Sequence, residues 1–257
     1  MEGFHVIALV GAVLALDHAL VGQFMLSQPL VVGGIFGWLL GDATLGLTIG
    51  ALAQLLWLGM IPVGAHIPSE HTVTGGVAAA MTVWLTKDAA WDPGGIAVLA
   101  LAVSIPAGVL SRGLDIHTRR WANDRLARRA EAELQAGRHP SLGAIHVLAL
   151  LPALLRLWLV YALWLGPVTL LIEKAVAHVP AVVLQGASAA YGFLPALGFA
   201  VVADMALRER YLVWSFGVFL VGTACLFVWP GAVWVWMAAV MAAAGAAVWW
   251  QGRRRTA

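Results

Sequence analysis

Pro29-Leu-Val-Val-Gly33-Gly34-Ile-Phe-Gly37-Trp38-Leu-Leu-Gly41-Asp42-Ala43-Thr-Leu-Gly46-Leu-Thr-Ile-Gly50-Ala-Leu-Ala-Gln54-Leu-Leu-Trp57-Leu-Gly59 is the stretch whose reading decides the fold. Its apolar runs are cut at short intervals by Gly, Pro and single polar groups. As a helix, residues 29–41 would measure about 20 Å, short of the roughly 30 Å hydrocarbon core of a bilayer. Residues 43–61 come closer to that length but carry Gly46, Gly50, Gln54 and Gly59. The expectation is a broken or re-entrant helix pair over 29–61, which is tolerable where protein or a water-filled cavity satisfies the loose backbone. Short, Gly- and Pro-interrupted segments of this kind point to substrate sites in secondary transporters. The alternative is two ordinary helices packed closely through small residues.

Working outward, the composition sets the class. The chain has 257 residues, 61% of them hydrophobic and 11% charged, with mean hydropathy +0.88. Soluble domains carry about 25% charged residues, so an all-α, polytopic membrane protein is expected. The lone cysteine, Cys225, cannot form an intrachain disulfide and reads as a small apolar residue. No cleavable signal peptide is expected, because the first basic residue is Lys87 and the required basic n-region is missing.

Charge placement gives an orientation. Arg112, Arg119, Arg120, Arg125, Arg128, Arg129 and Arg138 fall in one segment, and Arg253, Arg254 and Arg255 near the C-terminal end. The positive-inside rule puts both patches in the cytoplasm. Flanked by apolar spans, these patches read as topology signals, and no nucleic-acid partner is expected.

The remaining segments fit that frame. Residues 4–26 are long enough to cross but contain Asp17 and His18, which must face protein or a cavity. Gln23 and Gln28 add a polar patch just before Pro29. Residues 62–71 form a polar turn in which His66, Glu70 and His71 include possible zinc-ligand types. Their spacing matches no established motif, and Pro62 and Pro68 break any common helical face, so a plain polar loop is preferred and no metal is expected. Residues 72–86 and 94–111 are further apolar stretches, with Pro106 expected to kink the second. Residues 113–143 read as a helix lying at the cytoplasmic interface, ended by Gly137 and Pro140, or as a docking surface for a cytosolic partner. The apolar blocks 144–172, 180–206, 211–229 and 231–250 give four crossings and return the C-terminus to the arginine-rich side. Trp229, Trp234, Trp236, Trp249 and Trp250 sit where aromatic belts anchor helices. Trp57, inside the interrupted stretch, could instead line a site.

Taken together, the run resembles the membrane enzyme IIC of the mannose–fructose–sorbose branch of the bacterial phosphotransferase system. The likeness is carried by Gln28-Pro29-Leu30, Gly37 through Gly41-Asp42, Gly46 and Gly50, Gln54 through Leu58-Gly59, Gly64-Ala65 and Pro68-Ser69-Glu70. Ile145-His146-Val147 resembles the motif opening the family's second half. Gly192 through Leu197-Gly198-Phe199-Ala200, with Asp204-Met205, Tyr211 and Gly217, is similar to its late segment. The resemblance covers nearly the whole chain and implies one IIC-like domain over 1–257: membrane halves at 1–112 and 144–257, joined by 113–143.

The resemblance also implies an enzyme IID-like membrane subunit and cytosolic enzyme IIA and IIB phosphocarriers as partners. It further implies oligomers, often trimers of IIC–IID pairs, in the bacterial cytoplasmic membrane. The phosphohistidines of such systems lie on IIA and IIB, so neither a catalytic residue nor a cofactor is expected in this chain. Where the family usually has a sugar-facing Glu, this chain has Gln54. Where it has Arg before the Pro, this chain has Gln28.

The leading expectation is a permease subunit moving a hexose or amino sugar, held by Asp17, Gln23, Gln54 and Glu70 with support from Trp57 and Asp42. Asp42 could equally cap a helix at the bend after Gly41. The alternative is a non-transporting membrane scaffold or regulatory sensor, which the Gln54 and Gln28 replacements favour. An intramembrane enzyme lacks support, since no nucleophile and base stand at recognisable spacing.

Overall fold

The computed structural model describes residues 3–18, 20–57, 70–87, 91–196 and 200. The chain divides into units 1–199 and 200–257, and the description concerns the first. Cys225, Asp204, the C-terminal tryptophans, Arg253–Arg255 and the crossings expected after 200 lie outside the described residues, as do Trp-flanking Gly59, Pro62, His66 and Pro68. Every regular element among the described residues is helical: α1 (Phe4–Leu16), α2 (Pro29–Leu40), α3 (Ala43–Trp57), α4 (His71–Lys87), α5 (Pro93–Gln135), α6 (Leu142–Leu163), a π-turn (Trp164–Val168), α7 (Thr169–Val176) and α8 (Ala181–Tyr191).

The opening stretch forms a short helical hairpin. Pro29 starts α2 at the position where its missing N–H costs nothing. Gly41 ends α2 in the left-handed region (φ 102°), which favours glycine. Asp42 restarts the chain at once, its Oδ1 accepting the Leu45 N–H at 2.9 Å as the cap of α3. At about 18 Å, the 12-residue α2, bounded by Pro29 and Gly41, is too short to span a bilayer, and α3 is described over 15 residues to Trp57. The broken, re-entrant reading of the N-terminal half therefore holds.

Glycine packs this hairpin. A Cβ on Gly33 would stand 2.6 Å from the Gly46 carbonyl oxygen, and one on Gly37 would stand 2.7 Å from the Gly46 Cα. Gly50 likewise abuts the Pro29 carbonyl. The two Gly-x-x-x-Gly pairs thus face each other, and backbones approach as they do in small-residue membrane interfaces.

Helix α4 is the axis of the unit. From Thr72 to Leu85 almost every residue is buried, the pattern of a helix covered on all sides. Phe36 of α2 and Tyr161 of α6 meet edge-to-face at 5.8 Å in the core, and Gly11 of α1 and Gly76 of α4 leave room for the two rings. Among the described residues, two segments are long and apolar enough to cross a membrane: Pro93–Gln135, and the continuous helix Gly143–Val176. Pro167 falls within the π-turn of the latter, where the Thr169 hydroxyl donates to the Trp164 carbonyl at 2.7 Å.

The segment boundary drawn at 112/113 is not a break in the helix. Residues 113–135 continue the apolar helix that begins at Pro93, giving a single 43-residue α5. The change from apolar to charged composition at Arg112 alters what the helix touches without breaking it, because Arg, Ala, Leu and Glu are all good helix formers. Pro106 lies inside α5, and the Trp164 indole donates to the Val103 carbonyl at 2.9 Å, in the turn before the proline. The helix gives way only at Ala136 and Gly137, the latter with φ 70°.

Candidate functional site

Three helix ends converge at one end of the bundle, the C-terminus of α1 and the N-termini of α2 and α4, with the last described turn of α3 beside them. Buried Asp17, capping α1, organises this end. Its carboxylate accepts the backbone N–H groups of Phe24 (2.7 Å), Leu26 (2.8 Å) and Ser27 (3.4 Å). Three backbone N–H groups on one carboxylate hold the loop between α1 and α2 in a conformation it would not otherwise keep. Gln23 and Met25 sit there at φ 56° and 66°, sparsely populated values for residues with a Cβ. The loop presents Gln23 in an exposed position.

Further contacts tie the loop to the helices. The Ser27 carbonyl accepts the Thr72 hydroxyl at 2.7 Å, and the Thr72 carbonyl accepts the Tyr161 hydroxyl at 2.8 Å. Pro29 lies against Gly75 of α4. Gln54, near the end of α3, accepts the Leu30 N–H at 3.1 Å and so satisfies an otherwise unpaired donor in the first turn of α2. Its amide nitrogen carries two further donors. Trp57 of α3 is partly exposed.

Glu70 immediately precedes α4. Its backbone N–H donates to the Gly108 carbonyl at 3.3 Å, and its carboxylate meets a polar cluster from α5 and α6. Oε1 pairs with Arg156 Nη2 at 3.0 Å, and Oε2 accepts the Ser111 hydroxyl. Arg156 also bonds the carbonyl and hydroxyl oxygens of Ser111, at 2.8 and 3.0 Å, and the Asp115 carboxylate at 3.1 Å. Beside it, a cavity of about 110 Å³ is bordered by Leu20, Asp115, Thr118, Arg119, Asn123 and Ala149, among others.

The candidates named from sequence are thus distributed unevenly. Asp17, Gln23, Gln54, Trp57 and Glu70 all belong to this end of the bundle. Asp42 does not: it stands at the hairpin's far tip, where Lys87 of α4 donates to the Leu40 carbonyl at 3.2 Å, and its carboxylate is engaged in capping. Asp17 shares the end of the bundle, but its oxygens are directed to backbone. Sequence reasoning passed over Arg156, Ser111 and Asp115. The available signal was an Arg alone in the apolar block 144–172, and such residues are rare in membrane segments unless they function. His18 and His71 also meet here, edge to face at 5.0 Å. Among the described residues no group of three metal-ligating side chains converges, and His66 lies outside them.

This geometry suits neutral, hydroxyl-rich ligands: an amide donor, a carboxylate acceptor and an indole around the ends of half-length helices. Comparison with known proteins agrees with the fold. The family described as the sorbose-specific IIC component of the PTS system matches residues 4–248. The sorbose-specific EIIC component of Lacticaseibacillus casei is 21% identical over 74% of this chain and 66% of its own length, so the chain spans just under two thirds of that relative. The N-acetylgalactosamine permease IIC component 1 of Escherichia coli K12 is 26% identical over 86% of this chain and 78% of its own. The mannose-specific EIIC component of the same strain is 23% identical over 81% and 75%. Among solved structures, a complex of the mannose transporter ManYZ with microcin E492 contains a chain of the same fold. It has TM-score 0.56 and 22% identity, with 94% of this chain and 95% of that one covered. A second, described as a membrane protein, has TM-score 0.62 at 23% identity, over 94% and 95%. The family match across residues 4–248 shows that this chain belongs to the sorbose-specific IIC components of the phosphotransferase system, as a membrane subunit of such a permease.

Proposed function

We propose that the chain conducts a hexose or amino sugar across the bacterial cytoplasmic membrane, as a multi-pass subunit, for phosphorylation on the far side. The sugar site lies at the converging helix ends, with Gln54, Glu70 and Gln23 meeting hydroxyls and Trp57 offering its ring face. Asp17 serves as the fastener of the loop that carries Gln23, and Asp42 as a helix cap. The observation that carries this reading is the placement of Gln54 and Glu70 beside the N-termini of two helices, one of which, α2, is too short to span. A broken-helix end of that kind offers polar groups inside a membrane without an unsatisfied backbone. The partners this implies are a IID-like membrane subunit and cytosolic IIA and IIB phosphocarriers, in an oligomer such as a trimer of IIC–IID pairs.

The family match favours a permease over a non-transporting scaffold or sensor. Gln54 in place of a carboxylate still offers one acceptor and two donors to a hydroxyl. Uptake of labelled sorbose, mannose and N-acetylgalactosamine tests the reading, in cells lacking their own permeases and supplied with the chain and its partners. Accumulation of a phosphorylated sugar is the expected result. A chain present in the membrane with all partners, yet taking up none of them, would support the scaffold reading instead.

A further inference from the structure

Arg156 is the least expected residue of the unit. It lies on α6 between Leu155 and Leu157 and is only 8% exposed. A guanidinium there is tolerable only when paired and hydrogen-bonded. Two acids and two bases meet: Arg156 bridges Glu70 and Asp115, and Asp115 also takes Arg119 Nε at 2.7 Å. The formal charges cancel, which lets the cluster persist in an apolar setting.

The cluster is not uniformly buried, and the difference is informative. The side chains of Arg156 and Asp115 are 7% and 5% exposed, but that of Glu70 is 17% exposed. Among the described residues each Glu70 oxygen has one protein partner, Arg156 for Oε1 and Ser111 for Oε2. An ionised carboxylate has about four lone-pair sites, so roughly half its accepting capacity stays open on the reachable side. Arg156 is in turn anchored from behind by Asp115 and by both oxygens of Ser111. Held at these points, the guanidinium sets one N–H on Oε1 while the Ser111 hydroxyl sets Oε2, and the two contacts together fix the plane of the Glu70 carboxylate.

We propose that Arg156 is the positioning residue that, together with Ser111, sets the Glu70 carboxylate to accept adjacent sugar hydroxyls. The proposal rests on the reading of Glu70 as a sugar ligand and adds the residue that makes it selective. A carboxylate with a fixed plane accepts two neighbouring hydroxyls in one arrangement only, so the fork sets which sugar epimers fit. A Lys in place of Arg156 supplies the charge but not the fork.

Equilibrium binding of labelled sorbose, mannose and N-acetylgalactosamine tests this, using the full chain with its IID-like partner in lipid nanodiscs and thermal melting in parallel. Arg156→Lys is expected to weaken the Kd of the bound sugar about tenfold and to narrow the difference between that sugar and its epimers. Ser111→Ala should act in the same direction, about threefold. In a Glu70→Gln background neither change should alter Kd more than about twofold, since the group they position is gone. A fold-holding role alone would lower the melting temperature and leave Kd and epimer selectivity as they are in the wild type; that outcome overturns the proposal. So does an equal loss of affinity in the presence and absence of Glu70. Should Arg156→Lys fail to fold, Ser111→Ala carries the same comparison. A well-folded wild type that binds none of the three sugars, or a Glu70→Gln variant that binds like wild type, instead overturns the assignment of Glu70, and Arg156 loses its role with it.

Discussion

At the scale of single residues, the decisive distinction is between side chains spent on the backbone and side chains left to face a ligand. Asp17 is of the first kind. Asp17→Ala would leave three backbone N–H groups around a buried carboxylate site unpaired, a loss on the order of 2 kcal/mol or more. Thermal unfolding should show it, with Asp17→Asn intermediate because one acceptor survives. Gln54 is of both kinds, since its oxygen serves Leu30 and its amide N–H groups have no partner among the described residues. Gln54→Glu should leave the melting temperature unchanged or raise it, because a carboxylate accepts the same N–H and faces the positive end of α2. Sugar binding should tighten by about threefold to tenfold, as charge-assisted hydrogen bonds are roughly twice as strong as neutral ones. Residue type and spacing marked Gln54 and Glu70 as candidates in the sequence, and the proposed site uses both. They could not mark Arg156 as the neighbour of Glu70, because that contact joins positions 86 apart in the chain.

At the scale of elements, the α2–α3 hairpin stands on backbone contact between glycines. Gly46→Ala would drive a methyl group into the Gly33 carbonyl and the Gly37 backbone, costing about 1–3 kcal/mol of overpacking. Gly34→Ala should be milder, because its new methyl would stand 3.2 Å from the mobile end of the Leu47 side chain. Comparing the two variants by thermal melting separates the helix propensity of Ala, common to both, from the seam. The start of α5 gives a pH-dependent counterpart. Asp92 caps it by accepting the Gly95 N–H at 2.8 Å. That bond foremost, then the Ser188 hydroxyl, holds the Asp92 carboxyl below the usual carboxylate range. A lowered value means the cap's contribution is full above the ordinary Asp value of about 3.9 and is lost as pH falls through the lowered one. Asp92→Asn, an equally good cap, should match wild type at pH 7 and lose less stability below about pH 4. Element lengths were readable because Gly41 and Asp42 carry stop and start chemistry in their types. The unbroken α5 was not, because a change in polarity at Arg112 resembles a boundary although helix propensity runs straight through it.

At the scale of the whole molecule, the open ends of the hairpin are expected toward the arginine-rich side of the membrane and its tip toward the other. α4 runs from His71 to Lys87, and Lys87 reaches the hairpin tip at Leu40, while α5 returns to the arginine-rich residues. In a Cys225→Ala background, Asp42→Cys and Arg138→Cys should therefore react with a membrane-impermeant maleimide from opposite faces. Labelling of both from one face would reverse the hairpin. The fold class was legible from composition alone, since so few charges among 257 residues cannot cover a soluble surface. Which polar residues share a site was not, because that depends on where half-length helices end, and Asp42 fell at the wrong end of one. The most direct measurement of the central claim is sugar affinity at the two ends of that hairpin, in the full chain with its IID-like partner. The account predicts that Glu70→Gln weakens binding at least about tenfold while Asp42→Asn, still a competent cap, binds as wild type. Loss of binding in Asp42→Asn with Glu70→Gln unaffected would contradict it.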